Sequence, residues 1–416
     1  MKIVYRLISE LFLLISPIII LYRIIKGKEN IFRFPERYAI RSLKKENGNL
    51  IWFHCSSVGE LLSIIPLVEK LELNTKIKQI LITTNTLSSS KIIKKLNLRK
   101  TIHQFFPIDN FIIIKKFINY WKPSVLFLCE SEIWPNLIDE IKKRNIKLVL
   151  INGRMTLRSY LRWKKIKNFS KSIYKKFDLC FAQNDETFKR LKFLGAKNVV
   201  KLGNLKFATS KKVKYDFLEK KYYTFFKKKR ILITAASTHF NEENFIIQNH
   251  LYFKVKKKYN NIVSIIIPRH IERTEQIKDE IEKSNLRVFL HSSGKKINHE
   301  TDIYIVDTYG ELNKFYKLSN LVFMGGSLIK HGGQNPLEAA KLGCKVIHGP
   351  NIMNFREIYK KLSFLGISTM FNNYNNGTRL INKSVNKSRL VFENKKLMKY
   401  GKKILNSTHQ EILKFI

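Results

Sequence analysis

The chain has 416 residues, of which 78 are Lys or Arg and 32 are Asp or Glu, so its formal net charge at pH 7 is +46. This length allows two domains with ordinary hydrophobic cores. The charge is typical of nucleic-acid-binding proteins, but the lysines are spread along the whole chain with abundant Ile and Asn. We therefore attribute the charge to a general drift in amino-acid composition and expect no nucleic-acid partner.

Residues 1–30 differ from the rest of the chain by their apolar character. An apolar stretch runs from about Leu7 to Ile25, interrupted by Glu10 and Arg23 and containing Pro17. Its length is near the roughly 20 residues that cross a bilayer. Basic residues follow without an A-x-A-like cleavage site, so we predict a retained anchor that spans or only inserts, with a buried amphipathic helix as the alternative. The basic surface also favours membrane lipids as partners.

Residues 31–208 alternate between strand-like and helix-like segments. Helical spacing is clear from Leu61 to Leu73 and from Pro135 to Lys143. This alternation predicts a parallel sheet covered by helices. The strand-like segments are "NLIWFHCSS", "KQILITTN", "SVLFLCES", "IKLVLING", "DLCFAQN" and the closing "NVVKLGN".

A second α/β domain is predicted after a basic junction. Residues 209–229 lose the strand pattern, and residues 230–393 resume it with "RILITAAST", "NIVSIIIPRH", "LRVFLHSS", "TDIYIVDTYG", "LVFMGG" and "CKVIHGP". Residues 394–416 look helical and are expected to pack back on the first half. We therefore predict an α/β protein of two Rossmann-like domains facing across a cleft, with ligands beyond the carboxyl ends of the strands.

The four cysteines lie far apart in sequence and form no C-x-x-C pair. Cys55, Cys129, Cys180 and Cys344 each lie in or beside an apolar run, where Cys behaves as a small buried hydrophobe. The pattern indicates reduced thiols in a cytosolic setting, and neither a zinc site nor a disulfide framework.

Glu60 follows the first predicted strand in the motif H-C-S-S-V-G-E. With Ser57 it forms an S-x-x-E capping box, which stabilises the start of a helix. A carboxylate on a fixed element at a strand end is also placed to act as a general base. Spacing alone favours the cap over the base.

Two further strand ends carry charged residues. The motif C-E-S-E-I-W-P-N places Glu130 at the tip of a strand and Glu132 just beyond it. Two carboxylates there predict an acid/base or electrostatic role, with a solvated strand end as the alternative. Lys206 of L-G-N-L-K-F lies at the edge of the first predicted domain, where one lysine in so lysine-rich a chain carries no signal by itself.

Residues 325–343, "GGSLIKHGGQNPLEAAKLG", read as a glycine loop followed by a short helix. Asn335 suits the N-cap, Pro336 the first helical position, Glu338 the capping-box position and Gly343 the helix end. Such a helix start can bind a phosphate or carboxylate, or can simply be a well-capped helix after a turn. The spacing is not G-x-G-x-x-G, so a dinucleotide fingerprint is not indicated.

The remaining strand ends do not indicate a metal. Arg269 of the P-R-H motif can pair with a phosphate through its guanidinium fork, with an ordinary surface arginine as the alternative. His54, His239 and His270 also lie at strand ends but lack metal-ligand spacing. D-x-D, G-x-S-x-G and P-loop motifs do not occur, so we expect no metal and no other cofactor.

Taken in order, these motifs resemble those of the bacterial 3-deoxy-D-manno-octulosonic acid (Kdo) transferase family. The resemblance covers nearly the whole chain, including the amino-terminal apolar segment. The motifs are "HCSSVGE", "ESEIWPNLI", "NGRMTLRS", "AQNDETFKRL", "GNLKF", "AASTHFNEE", "PRH", "DTYGELNKFY" and "GGSLIKHGGQNPLEAAKLG". The resemblance implies a GT-B glycosyltransferase fold with two Rossmann-like domains.

The resemblance also implies a reaction and the residues that perform it. The family transfers Kdo from CMP-Kdo to the lipid A precursor, lipid IVA, at the cytoplasmic face of the inner membrane and without a dedicated metal. By motif, Glu60 is expected to be the proton acceptor, and Glu130 and Lys206 are expected to stabilise the transition state. The expected CMP-binding residues are Pro268, Arg269, Tyr309, Gly310, Glu311, Asn335, Pro336, Leu337 and Glu338.

Four residues depart from the family pattern, and two other functions compete with it. Cys55 and Ser56 replace Ala-Val, Gly153 replaces Ala, and Gln334 replaces His. These departures concern contacts to the donor substrate more than the reaction itself.

One rival function is that of another GT-B enzyme of the lipid A pathway that uses a UDP-sugar. The other is a basic RNA-binding protein, for which no RNA-module signature is present. One and several Kdo additions are equally compatible with the sequence, as are different oligomeric states.

Overall fold

The computed structural model describes residues 1–212, 216–228, 231–384 and 390–416. It divides into two compact units. The first comprises Met1–Val213 with Tyr400–Ile416, and the second comprises Lys214–Lys399. The domain bounds predicted from sequence stay a prediction at the level of individual residues.

The first unit is built on a seven-stranded parallel sheet in the order β3-β2-β1-β4-β5-β6-β7. Most positions of these strands are buried, as expected for Val-, Ile- and Leu-rich strands covered on both faces. The strands are β1 (Leu50–Cys55), β2 (Gln79–Thr84), β3 (Thr101–Phe105), β4 (Val125–Cys129), β5 (Lys147–Gly153), β6 (Leu179–Ala182) and β7 (Val199–Lys201).

Eight helices of the described chain belong to the first unit. They are α1 (Lys2–Ile25), α2 (Val58–Leu71), α3 (Leu87–Leu96), α4 (Phe111–Trp121), α5 (Pro135–Lys143), α6 (Leu157–Lys165), α7 (Lys167–Tyr174) and α8 (Asp185–Phe193). Side chains of α4 and α5 pack with those of β1 and β4 into one core cluster, in which the rings of Trp52 and Phe117 lie 4.9 Å apart. This packing fixes the loops that follow β1 and β4.

The second unit repeats the architecture with the order β10-β11-β9-β8-β12-β13-β14, and neighbouring strands in this order are parallel. In each sheet the chain adds strands first on one side of its first strand and then on the other, so the strand order reverses beside that strand. Rossmann-like folds bind ligands at such a switch point. The strands are β8 (Ile231–Thr238), β9 (Ile262–Pro268), β10 (Val288–Leu290), β11 (Ile303–Ile305), β12 (Leu321–Met324), β13 (Lys345–His348) and β14 (Ser368–Met370).

The helices of the second unit include one in the segment expected to be a linker. Helix α9 (Lys220–Lys227) buries Tyr222, Phe225 and Phe226 in a core cluster of this unit. The others are α10 (Glu242–Leu251), α11 (Thr274–Glu282), α12 (Leu312–Tyr316), α13 (Leu337–Lys341), α14 (Arg356–Phe364), α15 (Tyr374–Ser384) and α16 (Val391–Leu413).

Helix α16 belongs to the second unit up to residue 399 and to the first unit from Tyr400 onward. Its later part packs closely on the segment after β7. A Cβ added to Gly401 would collide with the carbonyl oxygen of Phe207, and the ring of Tyr400 lies 5.2 Å from the ring of Phe207. Gly203 has a φ of 100° and leaves space for Ile404.

The predicted fold class is confirmed, with differences in particular elements. Strands β3 and β14 were not predicted. Helix α5 has the predicted bounds, whereas α2 begins at Val58, three residues before the predicted start. The helix after the glycine loop is only five residues long, with Pro336 at its N-cap, although Asn335 Oδ1 accepts the backbone N–H of Leu337 at 3.1 Å.

Helix α1 is long and apolar enough to cross a membrane. Most of its apolar side chains are exposed, so it is not a buried core helix. This excludes the buried amphipathic helix that the sequence left open.

Candidate active site

The end of β1 places Glu60 beside the end of β4. Strand β1 pairs with β2 on one side and with β4 on the other, so the loops after β1 and β4 leave the sheet next to each other. Ser57 is the N-cap of α2, and its Oγ accepts the N–H of Glu60 at 3.3 Å. The Glu60 carboxylate accepts the N–H of Ser56 at 2.8 Å and the hydroxyl of Ser57 at 3.2 Å. The Ser57 half of the capping box is therefore present, whereas the Glu60 carboxylate accepts the N–H of the residue before the N-cap.

Glu130 lies directly after β4 and forms an ion pair with Lys206. The two side chains are mostly buried, and Lys206 Nζ is 2.5 Å from Glu130 Oε1. Glu130 has a φ of 51°, in the left-handed region that favours glycine, so the turn holds it in a costly backbone conformation. Asn152, at the end of β5, donates to Glu130 Oε1 at 3.5 Å and accepts the N–H of Leu205 at 2.9 Å. Asn152 thus connects the Glu130 carboxylate to the backbone of the turn that carries Lys206.

Glu132 is the centre of a second hydrogen-bond network. Its Oε2 accepts the hydroxyl of Ser56 at 2.8 Å and the indole N–H of Trp134 at 2.9 Å. The Nε2 of His54, which is fully buried, lies 3.4 Å from the same oxygen. Asn85, after β2, donates to Ser56 Oγ at 2.7 Å. The network holds Glu132 in one orientation beside the Glu60 loop.

Glu60 and Glu132, two of the three carboxyl groups at this edge, have opposite pKa shifts. Burial, together with the negative charges of Glu132 and Glu130, raises the pKa of Glu60 from 4.5 to about 7. Burial also opposes ionisation of Glu132, but its hydrogen bonds from His54, Ser56 and Trp134 hold its pKa below the ordinary value. Glu60 can therefore exchange a proton near neutral pH while Glu132 stays ionised.

The departures from the family pattern have structural roles in this unit. Ser56 bridges Asn85 and Glu132, so it belongs to the carboxylate network. The Sγ atoms of Cys55 and Cys129 are 3.0 Å apart, and both thiols are free and buried. A Cβ at Gly153 would lie 3.0 Å from the carbonyl oxygen of Phe181, which leaves little room for Ala.

Sequence reasoning missed Asn85 and Asn152, although both lie at or after a strand end. Asn152 has a φ of 52°, which Asn adopts more readily than most residues. An Asn at the end of an otherwise apolar strand was the available signal. Its partner Leu205 is 53 residues away in sequence, so the contact itself had no local signature.

In the second unit the corresponding loops are joined by Glu242, which sequence reasoning also missed. Its Oε2 accepts the backbone N–H groups of Gly326 at 2.6 Å and His239 at 3.0 Å, and its Oε1 accepts those of Ser327 and Leu328 at 2.9 Å each. The side chain is completely buried. The amides of residues 326–328 in the glycine loop are therefore occupied by the protein's own carboxylate, whereas the helix start that the sequence suggested for a bound anion lies further along, at residues 335–338.

A cluster of histidines lies at the carboxyl end of β8. The ring of His239 is 4.1 Å from that of His331 and 5.7 Å from that of His270. Burial, the neighbouring rings of His331 and His270, and the guanidinium groups of Arg269 and Arg273 lower the pKa of His239 to about 4. His239 is therefore neutral at pH 7. Arg273 is paired with Glu243, so exposed Arg269 is the charge beside this cluster that suits an anionic ligand.

Gln334, the fourth departure from the family pattern, belongs to the same cluster. Its Nε2 lies 3.0 Å from Nε2 of His239, and its backbone oxygen accepts the hydroxyl of Tyr359 at 3.0 Å. The amide thus positions the His239 ring from one side. The exchange of His for Gln at this position keeps a hydrogen-bonding group but removes a titratable one.

Two predicted CMP-binding segments meet beside β9. Pro268 ends the strand, and Arg269, which is exposed, is held by its N–H to the carbonyl of Thr238 at 2.9 Å. The hydroxyl of Tyr309 donates to Glu272, four residues after Pro268, at 3.1 Å. Gly310, next to Tyr309, has a φ of 91° and open space around its α-carbon.

The other predicted CMP-binding residues lie on the neighbouring helices α12 and α13. Glu311 is the N-cap residue of α12, and Lys314 Nζ lies 2.9 Å from its carboxylate. Pro336 and Leu337 are buried, whereas Asn335 and Glu338 are half-buried. Burial raises the pKa of Glu338, against the opposing effects of Lys341 and of Asn313 on α12. The structure therefore brings residues 309–311 and 335–338 to one edge of this unit.

Within the described ranges, no three or more His, Cys, Asp or Glu side chains are arranged to hold a metal ion. The groups at the two strand edges are instead a carboxylate network in the first unit and a histidine cluster with neighbouring arginines in the second. These can move a proton and bind an anion respectively.

Comparison with known proteins identifies relatives over most of the chain. Residues 32–209 match the family model for 3-deoxy-D-manno-octulosonic-acid transferase (kdotransferase). The 3-deoxy-D-manno-octulosonic acid transferase of Rickettsia bellii is 36% identical over 356 residues, which cover 86% of this chain and 84% of that protein. The enzyme of the same name from Haemophilus influenzae is 32% identical, covering 85% and 84% respectively.

Solved structures support the fold alone. The UDP-GlcNAc 2-epimerase from Neisseria meningitidis, bound to UDP-GlcNAc, aligns with a TM-score of 0.55 at 12% identity, covering 88% of this chain and 99% of that one. At this identity the likeness concerns the arrangement of strands and helices. The extent and identity of the sequence matches place this chain in the 3-deoxy-D-manno-octulosonic acid transferase family.

Proposed function

We propose that this chain transfers Kdo from CMP-Kdo to a hydroxyl of the lipid A precursor, lipid IVA. The observation that carries the proposal is Glu60, a carboxylate whose pKa is raised to about 7 beside the Glu130–Lys206 pair, in a chain of the Kdo transferase family. Transfer breaks the bond between the anomeric carbon of Kdo and the phosphate of CMP. It forms a new bond from that carbon to the acceptor oxygen.

Glu60 acts as the general base in this proposal. The acceptor hydroxyl must lose a proton as it attacks, and a carboxylate with a pKa near the working pH is an efficient acceptor for it. The carboxylate oxygens are held by Ser56 and Ser57, and the half-buried side chain keeps part of its surface exposed. Helix capping therefore orients the base, and the two roles that the sequence set against each other are compatible.

Glu130 and Lys206 provide a fixed charge pair next to the base. The ammonium of Lys206 compensates the buried carboxylate of Glu130, and the Asn152 contact to Leu205 fixes the turn that carries the lysine. A preorganised charge stabilises a developing charge at little reorganisation cost. This supports the family-implied role of Glu130 and Lys206 in stabilising the transition state.

The second unit binds the donor in this proposal. The phosphate and carboxylate of CMP-Kdo are anionic, and Arg269 lies with Arg273 beside the His239 cluster. Glu338 is a half-buried carboxylate suited to accept ribose hydroxyls. We assign CMP binding to the segments 268–269, 309–311 and 335–338. This part of the chemistry uses positive charge on the protein and no resident cofactor.

Membrane attachment completes the proposal. The acceptor is a lipid, and α1 presents exposed apolar side chains in a chain of net charge +46. These features support a location at the cytoplasmic face of the inner membrane, whose anionic lipids attract basic proteins.

The first test is reconstitution of transfer with matched variants. Purified chain in detergent receives CMP-Kdo generated in situ and tetra-acylated lipid IVA, and mass spectrometry follows the lipid. We expect a gain of one or more Kdo units for the unaltered chain. Glu60→Gln is expected to lower the rate at least about 100-fold, the lower range for general-base removal. The comparison variant Ser57→Ala removes the helix cap and one hydrogen bond to the Glu60 carboxylate but keeps the carboxylate itself, so it is expected to lose much less activity than Glu60→Gln.

The comparison of these two variants distinguishes a general-base role of Glu60 from a helix-capping role. If Ser57→Ala and Glu60→Gln lose activity equally, Glu60 serves the helix and the assigned base is wrong. If the unaltered chain transfers nothing but binds CMP, the sugar or acceptor is wrong. Binding of uridine diphosphate in preference to CMP would favour the UDP-sugar rival.

A second test addresses the donor site. Arg269→Ala is expected to raise the KM for CMP-Kdo about 10-fold, because one charge-assisted hydrogen bond contributes roughly 1.5–3 kcal/mol. Arg287→Ala is the matched control. Arg287 lies before the amino end of β10, whereas Arg269 follows the carboxyl end of β9, and Arg287 pairs with exposed Glu300. An unchanged KM in Arg269→Ala would remove Arg269 from the site.

A further inference from the structure

We infer that α1 lies in the plane of the membrane interface as part of the first unit and does not span the bilayer. The helix has 24 residues, about 36 Å at 1.5 Å per residue, which is long enough to span. Its length and composition therefore leave both arrangements open. The contacts that the helix makes along its whole length favour the in-plane arrangement.

One face of α1 is held to the first unit at intervals of seven residues. Seven residues are nearly two turns, so positions 2, 9, 16 and 23 share a face. Lys2 forms an ion pair with Asp139 of α5. The hydroxyl oxygen of Ser9 accepts the side-chain N–H of Asn136, also on α5, at 3.2 Å. The beginning of α1 is thus attached to α5.

The middle and end of α1 are attached to the same unit. Ser16 Oγ lies 3.0 Å from the hydroxyl of Tyr38, and Arg23 Nε donates to Glu29 at 3.1 Å. Glu29 is itself buried and accepts two hydrogen bonds of 3.2 Å from Arg37. Arg37 in turn donates to the carbonyl oxygens of residues 85 and 106. Both ends of the helix are therefore fixed to one compact unit.

A spanning helix is incompatible with these contacts. Its two ends would lie about 30 Å apart on opposite sides of the hydrocarbon. Lys2 and Arg23 could then not both reach side chains of one water-soluble surface. Tyr5 adds to this face, because its hydroxyl donates at 2.7 Å to buried Asp109, which also accepts the backbone N–H groups at the start of α5.

The opposite face of α1 is apolar and exposed. Val4, Leu11, Ile18 and Ile25 also follow a seven-residue spacing, and each is at least 50% exposed. A second exposed row, Leu7, Leu14 and Leu21, lies beside the first. An in-plane helix buries such a face about 5–10 Å into the boundary between headgroups and acyl chains.

The charges around α1 identify an anionic lipid surface as the partner. Exposed Lys26 and Lys28 follow the helix directly, and exposed Ile31 and Phe32 continue its apolar surface. In a spanning helix, burial of the Glu10 carboxylate in the hydrocarbon would cost free energy. In the in-plane helix, Glu10 follows Ser9 and therefore lies on the flank, within reach of the lipid headgroups. The inference deepens the membrane attachment proposed above, and its test does not depend on sugar transfer.

The test measures the depth of four spin labels in the bilayer. Val4→Cys, Leu11→Cys, Ile18→Cys and Ile25→Cys each carry a nitroxide, in the full chain bound to vesicles of phosphatidylethanolamine and phosphatidylglycerol. Relaxation by oxygen, which concentrates in hydrocarbon, is compared with relaxation by a water-soluble nickel chelate. The natural cysteines are buried, and the unaltered chain is the control for background labelling.

The in-plane arrangement predicts the same shallow depth for all four labels. A spanning helix predicts steps of about 10 Å between successive labels, with those at 11 and 18 deepest, and that result would overturn the inference. Labels shielded from both reagents would also overturn it, because a second copy of the chain would then cover the face. Ile18→Asp is expected to lower vesicle binding at least 10-fold, whereas Glu10→Gln is expected to keep it.

Discussion

Glu60 and Glu242 occupy equivalent places in the two units but differ in how many hydrogen bonds their carboxylates accept. Each follows the first strand of its sheet in sequence and lies near the start of the next helix. Glu242 is completely buried and accepts four backbone N–H groups. Glu60 is half-buried, accepts two donors and has two negative neighbours.

The difference separates a structural carboxylate from one suited to chemistry. Burial raises the pKa of both groups, but the amides around Glu242 oppose this effect from every side. At Glu60 the repulsion by Glu132 and Glu130 adds to the effect of burial. A carboxylate with spare hydrogen-bonding capacity and like-charged neighbours can take a proton, whereas one surrounded by amides joins two loops.

The largest effect is expected for Glu242→Gln. The amide can accept from one pair of backbone N–H groups but presents its own N–H₂ to the other pair. Two buried donors without acceptors cost roughly 1–3 kcal/mol each, so we expect a loss of about 4 kcal/mol in the free energy of unfolding of the second unit. Urea denaturation followed by far-ultraviolet circular dichroism measures this loss in the free energy of unfolding. A loss below about 1 kcal/mol would mean that the carboxylate does not hold the glycine loop.

The same substitution at Glu60 is expected to stabilise the protein at alkaline pH. The folded-state pKa of about 7 exceeds the ordinary 4.5, so the folded protein binds this proton more tightly and loses stability as pH rises from 4.5 to 7. Glu60→Gln removes this cost, which is at most about 3 kcal/mol. Denaturation at pH 4 and pH 8 should show a gain only at pH 8. A loss at pH 8 would indicate that the ionised carboxylate stabilises the fold.

The smallest effect is a shift in the pH dependence of transfer. Glu132→Gln removes one of the negative charges that raise the pKa of Glu60, so the rising limb of kcat/KM is expected to move to lower pH. Glu186→Gln is the control, because exposed Glu186 pairs with Arg190 one turn along its own helix, α8. A limb that stays in place would mean that Glu60 is not the titrating base.

Much of the fold could be predicted because the strands are apolar and continuous. Strands such as β1 and β12 contain runs of Leu, Ile, Val and Phe, and α5 begins at a proline with clear helical spacing. Strand β3, "TIHQF", carries His and Gln where the others carry aliphatic residues, and β14 has three residues. Local pattern is weak at such positions, since pairing with a neighbouring strand decides them.

The candidate site residues could be proposed from sequence motifs, but their geometry could not. The S-x-x-E pattern correctly indicated the cap at Glu60, whereas its raised pKa depends on Glu130 and Glu132, about 70 residues away in sequence. Glu242 gave no signal for its contact with the glycine loop, because three of its four partner amides lie more than 80 residues further along the chain. Both cases depend on which strands become neighbours, and that is a property of the folded sheet.

The packing of α16 on the segment after β7 has a genetic consequence. Gly401, Tyr400 and Ile404 press against residues 203–207, the stretch that carries Lys206. A premature stop codon shortly before position 400 would leave both sheets and every residue of the proposed chemistry encoded. It would nevertheless be expected to behave as a null allele, because the lysine turn would lose the surface on which it rests.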